Sequence, residues 1–154
     1  MVGEWLLIIL TSAAPISELR GGIPLAMGVY HWPWWQALPL AAAANWLAAA
    51  IWLGFIILAS DWLSRHSRHA HRFFAWLFQR THTRHNRSFK RWGALALVLF
   101  VAIPLPFTGA WSGAVAAFVF GVPYRRALLL LALGILLAGL AVTILSGGII
   151  ALAT

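Results

Sequence analysis

Two of the four apolar stretches long enough to cross a bilayer carry proline and glycine at their centres, and a straight, fully hydrogen-bonded helix through either is not expected. The stretches run over about 4–30, 36–60, 93–121 and 124–153, each near or above the roughly 20 residues that span the hydrocarbon core. Mid-way along the first lies Pro15-Ile16-Ser17-Glu18-Leu19-Arg20-Gly21-Gly22-Ile23-Pro24, and in the third Pro104-Leu105-Pro106-Phe107-Thr108-Gly109-Ala110-Trp111-Ser112-Gly113. Proline removes a backbone donor and clashes with the preceding turn. Opened backbone is tolerated at membrane depth only where protein or a water-filled cavity shields it. Each segment is therefore predicted to be a broken helix or re-entrant hairpin. The second and fourth stretches read as full spans, with Pro39 near the start of the second and Asn45 inside it. Trp32, Trp34 and Trp35 before the second stretch and Trp62 after it fit the aromatic belts of two interfaces.

At 62% hydrophobic and 9% charged, the chain falls outside the range of soluble domains and inside that of polytopic membrane proteins. A single membrane domain over 1–154 is expected, with a first half at 1–61, a basic segment at 62–92 and a second half at 93–154. Pro33-Trp34-Trp35-Gln36-Ala37-Leu38 aligns with Pro123-Tyr124-Arg125-Arg126-Ala127-Leu128, so each half is a broken segment, a Pro-aromatic turn and a full helix; at this offset Glu18 falls opposite Thr108. Matching interrupted segments in two halves point to a transporter-like site. The expected fold is all-α integral membrane: two re-entrant, broken helical hairpins plus two full transmembrane helices in a pseudo-inverted repeat, with a basic amphipathic cytoplasmic segment. Gly134, Ala138, Gly139 and Thr143 add small residues suited to close helix packing.

The net charge of +8 is concentrated rather than spread. Eight of the eleven basic residues, Arg65, Arg68, Arg72, Arg80, Arg84, Arg87, Lys90 and Arg91, lie in the one polar segment, which the positive-inside rule places in the cytoplasm. Interleaved with Trp62, Phe73, Phe74, Trp76 and Phe78, they read as an interfacial helix on anionic lipid, with Arg65, Arg68, Arg72 and Trp76 as lipid-surface residues; nothing matches a nucleic-acid module. If both hairpins re-enter, the first opens outside, the third stretch opens inside, Arg125 and Arg126 anchor the start of the last helix in the cytoplasm, and both termini are outside. The expected location is the inner membrane, multi-pass. Trp5–Leu10 followed by Ser12-Ala13-Ala14 resembles part of a signal peptide, but Met1–Glu4 lacks the positive n-region.

An ionised side chain near the centre of a membrane helix costs roughly 2.5–3.5 kcal/mol even on translocon scales, so Glu18 and Arg20 require a reason. Two residues apart, they would point to nearly opposite faces of a regular helix, whereas in an unwound stretch they share a side. On this reading Gly21 and Gly22 supply conformational freedom, Pro15 and Pro24 bracket the break, and the pair forms a hairpin tip. Arg20 can hold an anionic head group while Glu18 takes and releases a proton; the alternative is a mutually neutralised pair that holds the hairpin together. Thr108 and Ser112, with Trp111, form the expected opposing wall, on a backbone opened by Pro104, Pro106, Gly109 and Gly113. Asn45 reads either as a helix contact or as a site residue.

Other chemistries find less support. With no cysteine, disulfides and thiolate metal sites are excluded. His66, His69, His71, His82 and His85 have no carboxylate or thiolate among them and arginines around them, so they read as a solvated or lipid-facing run rather than a metal site. Gly109-Ala110-Trp111-Ser112-Gly113 has Ala110 where a serine nucleophile elbow needs glycine, and no histidine follows Arg91. An enzyme is not expected, nor is a cofactor.

On the two motifs P-I-S-E-L-R-G-G-I-P at 15–24 and P-L-P-F-T-G-A-W-S-G at 104–113, in this order and separated by a span and a basic loop, the chain resembles the putative small multidrug export protein family, grouped with the DedA and VTT-domain membrane proteins. The resemblance covers nearly the whole chain. It implies two facing re-entrant hairpins and movement of lipids or lipid carriers, often linked to the proton gradient, with Glu18 and Arg20 in the first hairpin. One departure stands out: DedA proteins proper carry an arginine in the second re-entrant motif, where this chain has Thr108 and Gly109. The functional expectation is a transporter of a small amphipathic or lipid-like anion, with protons as the coupling ion and membrane lipids as partners. A non-transporting membrane organiser, binding anionic lipid or a partner through the basic segment, is the alternative. A homo-oligomer is compatible with either.

Overall fold

The computed structural model describes residues 2–82, 87–103 and 108–153, and every element among them is helical. Arg84, His85, Pro104 and Pro106 lie outside the described residues. In chain order α1 spans Val2–Ala13, α2 Glu18–Pro24, α3 Trp34–His66, α4 Arg68–His82, α5 Arg87–Ala102, α6 Ala110–Val119 and α7 Tyr124–Ala153. Two of them, α3 and α7, are long and apolar enough to cross a membrane. Their 33 and 30 residues extend over roughly 50 and 45 Å at the α-helical rise, more than the ~30 Å hydrocarbon core. The first and third apolar stretches instead form shorter helices in pairs, α1 against α2 and α5 against α6.

The distribution of side-chain size is that of a bundle solvated by lipid. On α3 the inward face is small, with Ala37, Ala41, Ala42, Ala49 and Asn45 buried, while Leu47, Ile51, Phe55, Leu58 and Trp62 recur at helical spacing on the exposed face. On α7 the exposed stripe is Leu129, Leu133, Leu136, Leu140 and Ile144, and the buried one Ala127, Leu131, Ile135, Ala138 and Val142. Small residues inside and large apolar residues outside let backbones approach closely where water supplies no driving force between helices.

The two long helices run antiparallel. The Tyr124 hydroxyl donates to the Ala50 carbonyl at 3.2 Å and the Trp46 indole to the Leu128 carbonyl at 3.0 Å, while further along a Cβ on Gly139 would come within 2.6 Å of Leu38. Gly134 faces a different neighbour: its Cβ would lie 2.6 Å from Val101 of α5. The small residues of α7 thus serve two contacts on two sides rather than one stripe, and Thr143 donates its hydroxyl within its own helix to the Gly139 carbonyl at 2.7 Å. Pro33 and Pro123 play the same local part in the two halves. Each supplies the carbonyl that opens a long helix, to Ala37 N–H at 3.2 Å and to Ala127 N–H at 2.9 Å.

Pro24 does not end a helix, contrary to the bracketing role its position predicts. It lies in the last turn of α2, and the chain continues as one π-helical stretch over Leu25–Val29, with Tyr30 N–H reaching the Leu25 carbonyl at 3.2 Å. Losing one donor shifts the ladder to wider spacing instead of breaking it. Trp5 stacks edge-on against Trp32 with ring centroids 4.4 Å apart, close to the start of α3. At the other end α4 packs on α3 and α6, with Phe74 against Phe118 at 6.1 Å. Arg68, Arg72 and Trp76 are exposed at successive i, i+4 positions of α4, and Arg65 is exposed at the end of α3.

Candidate functional site

The site is built where the turn between α1 and α2 meets the start of α6. Over Ala14–Ser17 the chain reverses, with Glu18 N–H bonded to the Ala14 carbonyl at 3.0 Å and the Ser17 hydroxyl to the Thr11 carbonyl at 2.6 Å. Gly21 and Gly22 lie on the face of α2 that presses on α1. A Cβ on Gly22 would fall on the Ser12 hydroxyl and 3.0 Å from Ser12 Cβ; one on Gly21 would lie 2.7 Å from Ser17 Cβ and 2.9 Å from Thr11. The glycines are there for close approach, not for an unwound backbone. Both keep helical geometry, and the expectation of an extended tip is corrected accordingly. Ser12 is fully buried and its hydroxyl has no partner, so Ser12→Ala should leave stability unchanged or raise it slightly. Gly22→Ala should cost about 1–3 kcal/mol by overpacking, and Ser12→Ala should recover part of that loss in a mixed-micelle unfolding titration.

Glu18 is 8% exposed and adopts φ +46°, a left-handed conformation unfavourable for a residue with a side chain. Its carboxylate reaches the first turn of α6, where Trp111 N–H donates to Oε1 at 3.3 Å and Ala110 N–H lies alongside. That helix has Gly109 at its N-cap and no side-chain cap of its own. Unsatisfied N–H groups and the positive end of the helix dipole favour an anion there. A Cβ on Gly109 would occupy the carboxylate's position. Arg20 donates through Nη2 to the Thr108 carbonyl. Among the described residues no ion pair joins Glu18 and Arg20; each bonds instead across the gap, within a partner segment four residues long.

Trp111 ties the site together. Besides its backbone bond to Glu18, its indole donates to the Ala13 carbonyl at the C-terminal end of α1 at 3.1 Å, and its ring packs on Trp52 at 5.1 Å. Behind these contacts a small cavity, with room for about one water, is lined by Glu18, Arg20, Asn45, Thr108 and Gly109 and closed by aliphatic side chains of α5 and α7. Asn45 is 1% exposed and its Oδ1 has no hydrogen-bond partner.

The structure therefore gathers Glu18, Arg20, Asn45, Thr108 and Gly109 in one place. Thr108 contributes its carbonyl, since its hydroxyl donates to the Ile103 carbonyl at 2.6 Å. Ser112 stands apart from the cavity, its hydroxyl turned back to the Gly109 carbonyl at 3.3 Å. Gly113 is a packing position, a Cβ there lying 2.9 Å from Leu131, and Pro15 is an exposed turn residue. Exposed backbone groups at this break are expected from the sequence, but not that the N–H groups at the start of α6 are the donors, nor that the Ala13 carbonyl is an anchor. A signal for the first was present: α6 begins Gly109-Ala110-Trp111, with no capping side chain at its N-cap.

The profile of one family, described as putative small multi-drug export protein, matches residues 18–141, from Glu18 through most of α7. The chain belongs to this family. No curated protein matches it, and no solved structure does. The family match, starting at the residue that caps α6, takes in every cavity-lining side chain named above but leaves α1, with its Ala13 anchor, outside. With two membrane-length helices and lipid-type outer faces, this member of the export family is a helical membrane protein.

Proposed function

We propose that the chain is a multi-pass inner-membrane transporter that moves a small amphipathic or lipid-like anion through the space between two re-entrant hairpins, α1–α2 and α5–α6, coupled to protons. The observation that carries this reading is the pair of opposite charges, Glu18 and Arg20, each bonded directly to the segment that leads into α6, beside a small cavity. Depth supports it. Asn45 lies about eleven residues beyond Trp34, roughly 16 Å along α3, which is half of a ~30 Å core if Trp34 marks the interface. Opposing broken segments with a helix N-terminus aimed at an anionic group at the midplane are the arrangement used by inverted-repeat transporters. The DedA-like kinship inferred from the two motifs agrees with it.

The test is uptake of a fluorescent dialkyl phosphate into proteoliposomes under an imposed pH gradient. Arg20→Ala should remove uptake and Glu18→Gln should remove its dependence on the gradient, both with normal membrane insertion. Unchanged uptake in both would end the reading. The alternative, a membrane organiser, draws on the exposed Arg68, Arg72 and Trp76 of α4. It expects the Arg65, Arg68 and Arg72 triple neutralisation to remove function while the Glu18 and Arg20 variants stay mild. The topology has its own check. The chain has no cysteine, so a single Arg126→Cys should resist an impermeant reagent added outside intact cells and react once the membrane is opened; reaction from outside would refute the hairpin arrangement.

A further inference from the structure

The Glu18 carboxylate occupies a position that an anionic ligand would be expected to fill. It lies at the uncapped N-terminus of α6, against Trp111 N–H and Ala110 N–H, with Arg20 near enough for its charge to act on it and with the absent Gly109 side chain leaving the space. Oriented N–H groups at a helix N-terminus beside an arginine are a ready-made site for phosphate or carboxylate. The cavity behind is too small for a head group while the carboxylate is in place. Across that cavity Asn45 Oδ1, buried and unpartnered, is an acceptor waiting for a donor. A carboxylate cannot be that donor, but a carboxylic acid can.

We infer that Glu18 is an internal stand-in for the substrate, exchanging places with the oxyanion of a phosphodiester. Before the exchange Glu18, as a carboxylate, holds the α6 donors. On taking one proton from solvent it becomes a carboxylic acid, gives up its attraction to the helix end, and donates its O–H to Asn45 Oδ1; the vacated N–H groups and Arg20 then receive the phosphodiester oxygens. Proton and anion are thus bound together, one of each, and released together. Arg20 is the only other charged group lining the cavity among the described residues: α3 faces it with Asn45, and α5 and α7 face it with aliphatic side chains. This rests on the transporter reading above but names its substrate chemistry and its stoichiometry.

The experiment is binding of dihexyl phosphate to the purified full chain in neutral detergent between about pH 6 and pH 8, a range in which the probe itself stays singly charged. If one proton accompanies each anion, wild-type affinity should rise by up to about tenfold per unit fall in pH while Glu18 is ionised. Glu18→Gln keeps an acceptor for Trp111 but has no net charge; it should bind about tenfold or more tightly than wild type at the upper pH and lose the slope. Only Glu4 and Glu18 are glutamates, so infrared spectra of chain labelled with carbon-13 glutamate, with Glu18→Gln as the blank, read the carboxyl directly. Probe added to wild type should convert the carboxylate signal of Glu18 to that of the acid, a readout that needs no variant to fold. Dimethyl phosphate gives the source: equal effects from both probes identify a free phosphodiester, effects from the dihexyl ester alone a lipid-like one. Equal binding by wild type and Glu18→Gln, or a carboxylate that stays ionised with probe bound, overturns the exchange while leaving transport intact. No binding in any form overturns it as well, and loss of proteoliposome uptake with the exchange still seen would instead sink the transporter reading alone.

Discussion

Gly109→Ala is expected to abolish transport and to destabilise the chain by about 3–5 kcal/mol, the range seen when a buried charged group loses its partner. A methyl group at this position takes the place of the Glu18 carboxylate, so the carboxylate must leave both the Trp111 N–H and the helix end while staying in an apolar surround. The α6 donors are then also left unsatisfied. The proof of mechanism is compensation: Glu18→Ala in the Gly109→Ala background removes the displaced charge and should restore most of the stability but none of the transport. An unfolding titration in mixed micelles measures the first, proteoliposome uptake the second. If Gly109→Ala is as stable as wild type, the carboxylate is not held where the structure places it.

The second large effect concerns the charge pair. Arg20→Ala leaves the Thr108 carbonyl without its guanidinium donor and removes the positive charge nearest Glu18, a loss of about 1–3 kcal/mol. Glu18→Gln alone should be milder, because the amide still offers Trp111 an acceptor. The double variant should be more stable than Arg20→Ala, and the cycle should return a coupling of about 1–3 kcal/mol, as for charged groups sharing one site. Additive losses would show that the two side chains act independently, each as a local tie. Arg20→Lys tests geometry: it keeps the charge but replaces the planar fork by a point donor, and should retain stability better than transport.

Much of this architecture was legible because membrane physics narrows the choices. Central prolines and glycines at 15–24 and 104–113 required interrupted segments, and the uninterrupted runs at 36–60 and 124–153 became α3 and α7. Glu18 and Arg20 were conspicuous because ionised groups are costly in lipid. The local backbone was less legible. A two-residue spacing implies an extended tip only if backbone angles are regular, and Glu18 at φ +46° breaks that assumption at the first residue of a helix. Gly21 and Gly22 could be read as flexibility or as contact, and which applies depends on Thr11 and Ser12 ten residues earlier, a tertiary fact. Side-chain chemistry also drew attention to the hydroxyls of Thr108 and Ser112, when the groups that matter are the Thr108 carbonyl and the Trp111 N–H. Backbone donors and acceptors are the same for almost every residue type, and the mark they leave here is indirect: a helix that starts at Gly109 with no capping side chain.

Among the described residues, three side-chain ties cross between the halves at this point: Arg20 to Thr108, Glu18 to the N–H groups that open α6, and the Trp111 indole to Ala13. All arise from residues 13–20 on one side and 108–111 on the other, and two of them share a single tryptophan. Such a clasp does not loosen by degrees. Withdrawing Trp111 undoes two bonds at once and strips support from the third, so this contact between the halves is expected to be latched or unlatched, with little in between. A tryptophan that reports its surroundings by fluorescence is thus built into the latch itself.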